Sequence, residues 1–175
     1  MASKEIATER LLLKQFSMED LDAYARIMGD HEVGKWFPNG EGYARQQAER
    51  SLHSILDHWS SQGYGIWAIK TKEGVLLGRC GLNLITETSE EEVDFVVARS
   101  FWGKGFATEA ARAVLTYGFE VLKLETIIAL TKPENAAARR VMEKNGMRYV
   151  KEAEYWGITC AYYEISKTEY HSTYS

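Results

Sequence analysis

Two glycines sit two residues apart in the run Trp102-Gly103-Lys104-Gly105-Phe106-Ala107-Thr108. The run follows Val93-Asp94-Phe95-Val96-Val97, which reads as a strand, and leads into a segment with helical periodicity. A strand that turns through glycines into a helix gathers several main-chain N–H groups at the positive end of the helix dipole. That is an anion site, suited to phosphate. Glycine lets the backbone approach a ligand with no Cβ in the way; Lys104 adds a cation, and the small Ala107 keeps the helix entrance open. The same pattern also occurs as an ordinary connection, so its meaning depends on what surrounds it.

Other residues with chemical potential are scattered. Glu92 heads the strand before the loop and can accept a proton through water or hold an ammonium; its neighbours Glu87, Glu90 and Glu91 make a solvated edge an equal reading. Cys80 and Cys160 lie in apolar, strand-like runs with no histidine or asparagine nearby to mark a covalent nucleophile. They read as buried thiols, without a disulfide framework or zinc site. His31, His53, His58 and His171 show no metal-ligand pairing, so no metal is expected and surface or capping roles fit them best. Tyr149, Tyr162 and Tyr163 can serve as hydroxyl donors, but aromatic residues in strands are more commonly core.

These residues must be held by a series of short elements. Ile6 to Phe16 reads as a first strand, ended by the capping-box pattern Ser17-Met18-Glu19-Asp20 and a helix with Leu21, Tyr24, Ala25 and Met28 on one face. Gly34 to Gly42 reads as a loop, followed by a helix on which Leu52, Ile55, Leu56 and Trp59 align. Tyr64 to Thr71 and Val75 to Ile85 form a hairpin through Lys72-Glu73-Gly74, and Glu87 to Glu92 is an acidic connection to Val93–Val97. After the glycine loop comes a helix burying Ala111, Val114, Leu115, Gly118 and Leu122, then a strand from Thr126 to Thr131. Asn135 caps a short helix through Lys144, ended by Gly146, and strands near Met147–Tyr155 and Ala161–Ser166 close the chain. The order β-α-α-β-β-β-α-β-α-β-β predicts a mixed α/β (α+β) sheet with helices on its faces, distinct from a doubly wound nucleotide fold.

Composition narrows the function classes. With 175 residues, no repeat and no linker, residues 1–175 read as a single domain. The net charge of −4 and the absence of a clustered basic face disfavour nucleic acid and weakly favour an amine-bearing partner. No apolar stretch reaches the roughly 20 residues of a membrane span, and Met1-Ala2-Ser3-Lys4-Glu5 lacks the layout of a secretion signal, so a cytoplasmic protein is expected.

The segment from Val93 through the loop and Thr126–Thr131 to Asn135-Ala136-Ala137-Ala138-Arg139-Arg140-Val141-Met142-Glu143-Lys144-Asn145-Gly146-Met147 closely resembles the acetyl-CoA-binding half of GNAT acetyltransferases. Trp102 to Ala110 is similar to the pyrophosphate loop of the branch that includes ribosomal-protein N-terminal acetyltransferases. Thr8-Glu9-Arg10-Leu11-Leu12-Leu13 and Leu77-Gly78-Arg79-Cys80-Gly81-Leu82 match further landmarks, so the likeness spans nearly the whole chain. The resemblance implies a mostly antiparallel twisted sheet whose splayed strands form the coenzyme cleft. It implies that backbone at Phe95, Val96 and Val97 pairs with pantetheine and that N–H groups of Gly103, Lys104, Gly105, Phe106, Ala107 and Thr108 hold the pyrophosphate. Asn135 would contact pantetheine, and Arg139, Arg140 or Lys144 would meet the 3′-phosphate unless they are simply a solvated face. A strand amide at Val96 or Val97 would polarise the thioester carbonyl, with Glu92 as the functional carboxylate. Trp36, Phe37, Pro38 and Glu41 would wall the acceptor site, although core packing explains those aromatic residues equally well. Relatives commonly carry a tyrosine at Met142 or a serine at Ala138 to protonate the leaving thiolate; both hydroxyls are absent here.

A sparsely equipped site favours an acceptor that is already neutral. An α-amine of pKa about 7.8 is roughly a third neutral at pH 7.5, whereas lysine near 10.4 is about 0.1% neutral, a difference of roughly 3 kcal/mol. A peptide N-terminus, of the ribosomal-protein alanine type, is therefore the leading acceptor, with aminoglycosides, polyamines and small amine metabolites as alternatives. Two rivals stand beside this reading: a dinucleotide oxidoreductase, whose third fingerprint glycine is replaced by Thr108, and a non-catalytic acyl-CoA sensor, suggested by the missing hydroxyls. The oligomeric state is left open between monomer and homodimer.

Overall fold

Alternation of inward Leu11 and Leu13 with outward neighbours makes a strand of Leu11–Gln15 (β2), and the chain before it folds back as Ile6–Ala7 (β1). The expected single strand from Ile6 to Phe16 is thus two, paired antiparallel with Ile6 opposite Leu13. Thr8 causes the break: its N–H donates to the Leu11 carbonyl at 2.9 Å and its Oγ1 accepts from the Leu11 N–H at 3.0 Å, closing a turn. These coordinates are a computed structural model describing residues 4–174. Helix α1 (Leu21–Gly29) follows a 3₁₀ turn, and the Asp20 carboxylate accepts from the Ser17 N–H at 3.0 Å as the capping pattern predicts.

The loop expected over Gly34–Gly42 opens one residue later, after a short helix that the sequence reading did not anticipate, α2 (His31–Gly34), which Asp30 caps by accepting from the Glu32 N–H at 2.9 Å. Gly34 is needed for close approach: a Cβ there would lie 2.1 Å from the Gly42 nitrogen. Helix α3 (Arg45–Gln62) then leads into the hairpin β3 (Ile66–Thr71) and β4 (Leu76–Ile85). Strand β5 covers Glu90–Val97 and so includes three residues expected in the acidic connection. The turn is tighter than that expectation, with the N–H of Ser89 (φ 61°) donating to the Ile85 carbonyl at 2.8 Å.

Helix α4 (Phe106–Glu120), β6 (Thr126–Thr131), α5 (Ala136–Lys144), β7 (Arg148–Tyr155) and β8 (Ile158–Ser166) follow the sequence expectation closely. A last helix, α6 (Lys167–Tyr174), has weak amphipathicity but carries a reciprocal cap between Ser166 and Glu169 and stacks Tyr170 on Phe119 at 4.8 Å. The sequence pattern Ser166-x-x-Glu169 marks it.

Among the described residues eight strands form one sheet in the order β1-β2-β3-β4-β5-β6-β8-β7, antiparallel except between β5 and β6. Leu82 packs beneath Gly118 of α4, whereas Arg79, of opposite parity on the same strand, reaches Tyr24 of α1, so α1 and α4 cover opposite faces. The core contains wholly buried Trp67, Tyr24 and Tyr163. The β5–β6 junction departs from this regularity: one residue pair, Glu92 opposite Ile128, is in register. Beyond that pair the parallel strands diverge toward their C-terminal ends and leave a cleft. No described helix is long and apolar enough to cross a membrane.

Candidate active site

The cleft between β5 and β6 opens into a cavity of about 1150 Å³. One end is lined by the start of α4. Gly103 (φ 77°) and Gly105 (φ 81°) are both left-handed, a conformation that costs a non-glycine residue about 1–2 kcal/mol. The Trp102 indole N–H donates to the Val97 carbonyl at 2.7 Å and pins the loop to the strand end. The first N–H groups of α4 have no acceptor within the helix, and Gly103, Gly105, Phe106, Ala107 and Thr108 all line the cavity. At the facing end of β6, Asn135 lines the cavity and caps α5 by accepting from the Ala138 N–H at 3.2 Å.

Between these ends runs the free edge of β5. The Ala98 N–H donates to the Leu77 carbonyl at 2.7 Å, and the register continues unbroken through Val96 opposite Arg79 and Asp94 opposite Gly81. Main-chain groups alternate in an antiparallel ladder, so Val96 spends its N–H and C=O on β4 while Phe95 and Val97 turn theirs toward the cleft. The expected role of Val96 backbone is therefore confined to Phe95 and Val97, and the Val97 carbonyl already accepts from Trp102.

The other end of the cavity is built from side chains. Glu92 is 6% exposed, lines the cavity and accepts from Asn83 Nδ2 at 3.1 Å. Burial, with the nearby Asp94 carboxylate adding to it, pushes its pKa up to about 8; the Asn83 hydrogen bond and the Arg79 charge pull the other way. Asp94 is itself neutralised by a two-pronged contact with Arg79, at 2.9 and 3.1 Å, and Arg79 also donates to Tyr24 Oη. Helix α3 presents Ser51, Ser54, Ile55 and His58 to the cavity, at the spacing of one helical face. His58 Nδ1 lies 2.9 Å from the Tyr64 carbonyl, which can only accept, so Nδ1 carries the proton. Nε2 is buried with no protein partner among the described residues.

Aromatic groups also line this part of the cavity. Trp36, Phe37 and Pro38 line one side, and Trp156, 51% exposed, lines the other from the β7–β8 turn. Tyr155 and Tyr162 fix that hairpin by donating to the two Glu90 oxygens at 2.5 Å each. Cys160 also faces the cavity, and burial, reinforced by Glu92, pushes its thiol pKa up, so it is not an activated thiolate.

Three of the expected site residues do not reach the cavity with their side chains. Glu41 is exposed, in a turn where its N–H donates to Asn39. Lys104 stays outside, its Nζ 5.7 Å from the Phe101 ring. Arg139 donates to Tyr163 Oη and the Pro133 carbonyl and lies against Tyr149 and Tyr163, leaving Arg140 and Lys144 as the α5 cations that line the cavity. Tyr163 is wholly buried, and neither it nor Tyr149 lines the cavity, whereas Met142 and Ala138 do. Sequence reasoning missed Arg79, Asn83, His58 and Trp156. The Trp156-Gly157 pair between two strand-like runs was a readable turn signal for the last of these; the others carry none.

Residues 10–148 match the acetyltransferase (GNAT) domain. The chain belongs to the GNAT acetyltransferase family. It is 34% identical over 174 residues to the uncharacterized protein YkkB of Bacillus subtilis, covering 93% of this chain and 96% of the relative. It is 31% identical over 160 residues to the FsC-acetyl coenzyme A-N(2)-transacetylase of Aspergillus fumigatus, covering 86% of this chain and 67% of that one. The crystal structure of a GNAT-family acetyltransferase from Bacillus anthracis superposes with a TM-score of 0.81 at 29% identity, covering 94% and 99% of the two chains. The chain is thus an N-acetyltransferase, and GNAT enzymes take their acetyl group from acetyl-CoA. The residues present fit that donor: an open cleft beside a free strand edge, and a glycine loop at a helix start for the diphosphate. Among the described residues, no three His, Cys, Asp or Glu side chains gather as a metal site.

Proposed function

We propose that this GNAT enzyme acetylates the α-amine of a peptide or protein N-terminus by direct attack, with Glu92 as the group that takes up the amine proton. The observation that carries this is the position of Glu92, a buried carboxyl at the one point where β5 and β6 meet, facing the acceptor end of the cavity. Bound acetyl-CoA supplies a thioester as the acyl donor. The N–H groups of Gly103 to Thr108 hold its diphosphate, Asn135 and the Phe95 main chain hold the pantetheine arm, and Arg140 meets the 3′-phosphate. The Val97 N–H polarises the thioester carbonyl, a contribution of about 3 kcal/mol by analogy with other oxyanion-hole donors.

With a pKa of about 8, Glu92 is partly ionised at neutral pH and is a much stronger base than an exposed carboxylate. An acceptor amine near pKa 7.8 is substantially neutral in the same pH range, so it can attack without first giving its proton to Glu92. Trp36 and Phe37 wall the acceptor, joined by Trp156 and His58. As the C–N bond forms and the C–S bond breaks, the nitrogen's proton passes to Glu92. The departing thiolate, of pKa near 8.5, needs no dedicated acid and takes its proton from solvent. A small-molecule amine is the second reading, favoured by the similarity to a relative named for transacetylation at an N(2) position.

Thiol release from acetyl-CoA separates them. Turnover should be fastest with a peptide bearing a free α-amine, and far slower with the same peptide Nα-blocked and carrying one lysine. Faster turnover on a polyamine or aminoglycoside would select the second reading; saturable acetyl-CoA binding without turnover on any amine would indicate a sensor.

A further inference from the structure

The phosphate loop is held from outside by a segment remote in sequence. The turn between β1 and β2 places Arg10 against the loop, where Nη1 donates to the Lys104 carbonyl at 2.8 Å. The guanidinium lies 4.3 Å from the centroid of the Phe106 ring. Arg10 is itself anchored to Glu109, in the first turn of α4. Its Nε donates to Glu109 Oε1 at 2.7 Å, and its main-chain N–H and the Thr8 hydroxyl donate to Oε2 at 2.9 and 2.6 Å.

The Lys104 carbonyl belongs to the same peptide unit as the Gly105 N–H. That unit is trans, and in a trans peptide the C=O and N–H point to opposite sides. Arg10 holds the carbonyl on the side away from the cavity, while Gly105 lines the cavity. The Gly105 N–H is therefore turned inward, toward the group the loop would bind. Without that hold the unit can rotate more freely, because one of the two Cα atoms that flank it is Gly105, and glycine tolerates either sign of φ. Arg10 also neutralises Glu109, whose charge at the helix start would otherwise oppose an anion.

We infer that Arg10 is a positioning residue for coenzyme binding, which presents the Gly105 N–H to the diphosphate without touching it. This rests on the reading of Gly103–Thr108 as the diphosphate site. Arg10 is 42% exposed while Glu109 is 18% exposed, so Arg10 variants should stay folded, which thermal melting of each variant checks.

The test compares two acyl donors, acetyl-CoA and acetyl-pantetheine, which lacks the diphosphate. Arg10→Gln should raise the KM for acetyl-CoA about tenfold, the usual scale for losing one hydrogen bond to a charged group. Its kcat/KM with acetyl-pantetheine should stay within about twofold of wild type. Arg10→Lys keeps the charge but not the planar fork, and should behave like Arg10→Gln. Glu109→Gln, which loosens the anchor and leaves the guanidinium present, should show a smaller rise. An unchanged KM for acetyl-CoA in Arg10→Gln, an equal loss with both donors, or full rescue by lysine would each overturn the inference. If wild type shows no advantage for acetyl-CoA over acetyl-pantetheine, the diphosphate site itself is misassigned, which is a different failure.

Discussion

The proposed donor end of the cleft takes its main-chain groups from one continuous stretch, Phe95 to Thr108, with Asn135 and Arg140 facing them, whereas the proposed acceptor end is assembled from side chains on α3, β4, β5, the loop before α3 and the β7–β8 turn. A main-chain site needs a backbone path, so its demands fall on glycines and on the contacts that orient peptide units. A side-chain site needs particular functional groups brought from distant segments, and each can change without disturbing the fold. Chemistry that every member of a family shares suits the first construction; the choice of acceptor suits the second.

Substitutions at the two ends should separate cleanly, and the largest separation is expected at Glu92. Glu92→Gln should lower kcat/KM about 10²-fold at pH 7.5, a usual scale for a lost general base, and leave the Kd for acetyl-CoA unchanged. The same change should stabilise the protein at alkaline pH. The folded-state pKa of Glu92, about 8, lies above its ordinary value of 4.5, so the folded protein binds more protons between those values. The contribution of Glu92 to wild-type stability should then fall as pH rises from 5 to 9, by about 4 kcal/mol, and this loss should be absent in the variant. Glu90, Glu109 and Glu169, held below the usual range, are ionised in both states across that window and do not contribute. Glu91 is raised mainly by burial and acts in the same direction as Glu92, but equally in both proteins. Urea unfolding at pH 5, 7 and 9 measures the difference.

At the donor end, Gly105→Val should raise the KM for acetyl-CoA about tenfold while the acceptor KM stays put. A Cβ there has room, 3.4 Å from Arg10 Nη2, but the φ of 81° is strained for a β-branched residue. Steady-state kinetics with each substrate varied in turn would show it. A rise in both constants would mean that the two ends are coupled.

The smallest effect is expected at Trp156, whose φ of 53° is left-handed in a residue that is not glycine. Trp156→Gly should relieve about 1 kcal/mol of strain and raise the melting temperature, yet raise the acceptor KM several-fold through loss of an aromatic wall. An unchanged acceptor KM would remove Trp156 from the site.

The same contrast explains what could be read from the chain alone. The glycine loop, β6, α5 and its Asn135 cap are local patterns, and the structure places them within a residue or two of expectation. The split of the first strand was hidden because Thr8 acts through hydrogen bonds that a hydrophobic pattern does not record. The acidic run hid the start of β5, where two tyrosines more than 60 residues away offset the poor strand propensity of Glu90. Arg139 looked like a phosphate ligand until Tyr163 and Pro133 claimed it. His58 and Asn83 gave no signal, since only the folded chain brings them to the cavity that Glu92 lines.

The pH dependence of kcat/KM with a free α-amine peptide tests the proton-acceptor role of Glu92 most directly. If the reacting state needs both a neutral amine, of pKa about 7.8, and an ionised Glu92, of pKa about 8, the logarithmic plot should approach a slope of two below pH 7. It should approach a slope of one in Glu92→Gln, where the amine alone titrates. A wild-type slope of one, matched by the variant, would contradict the account.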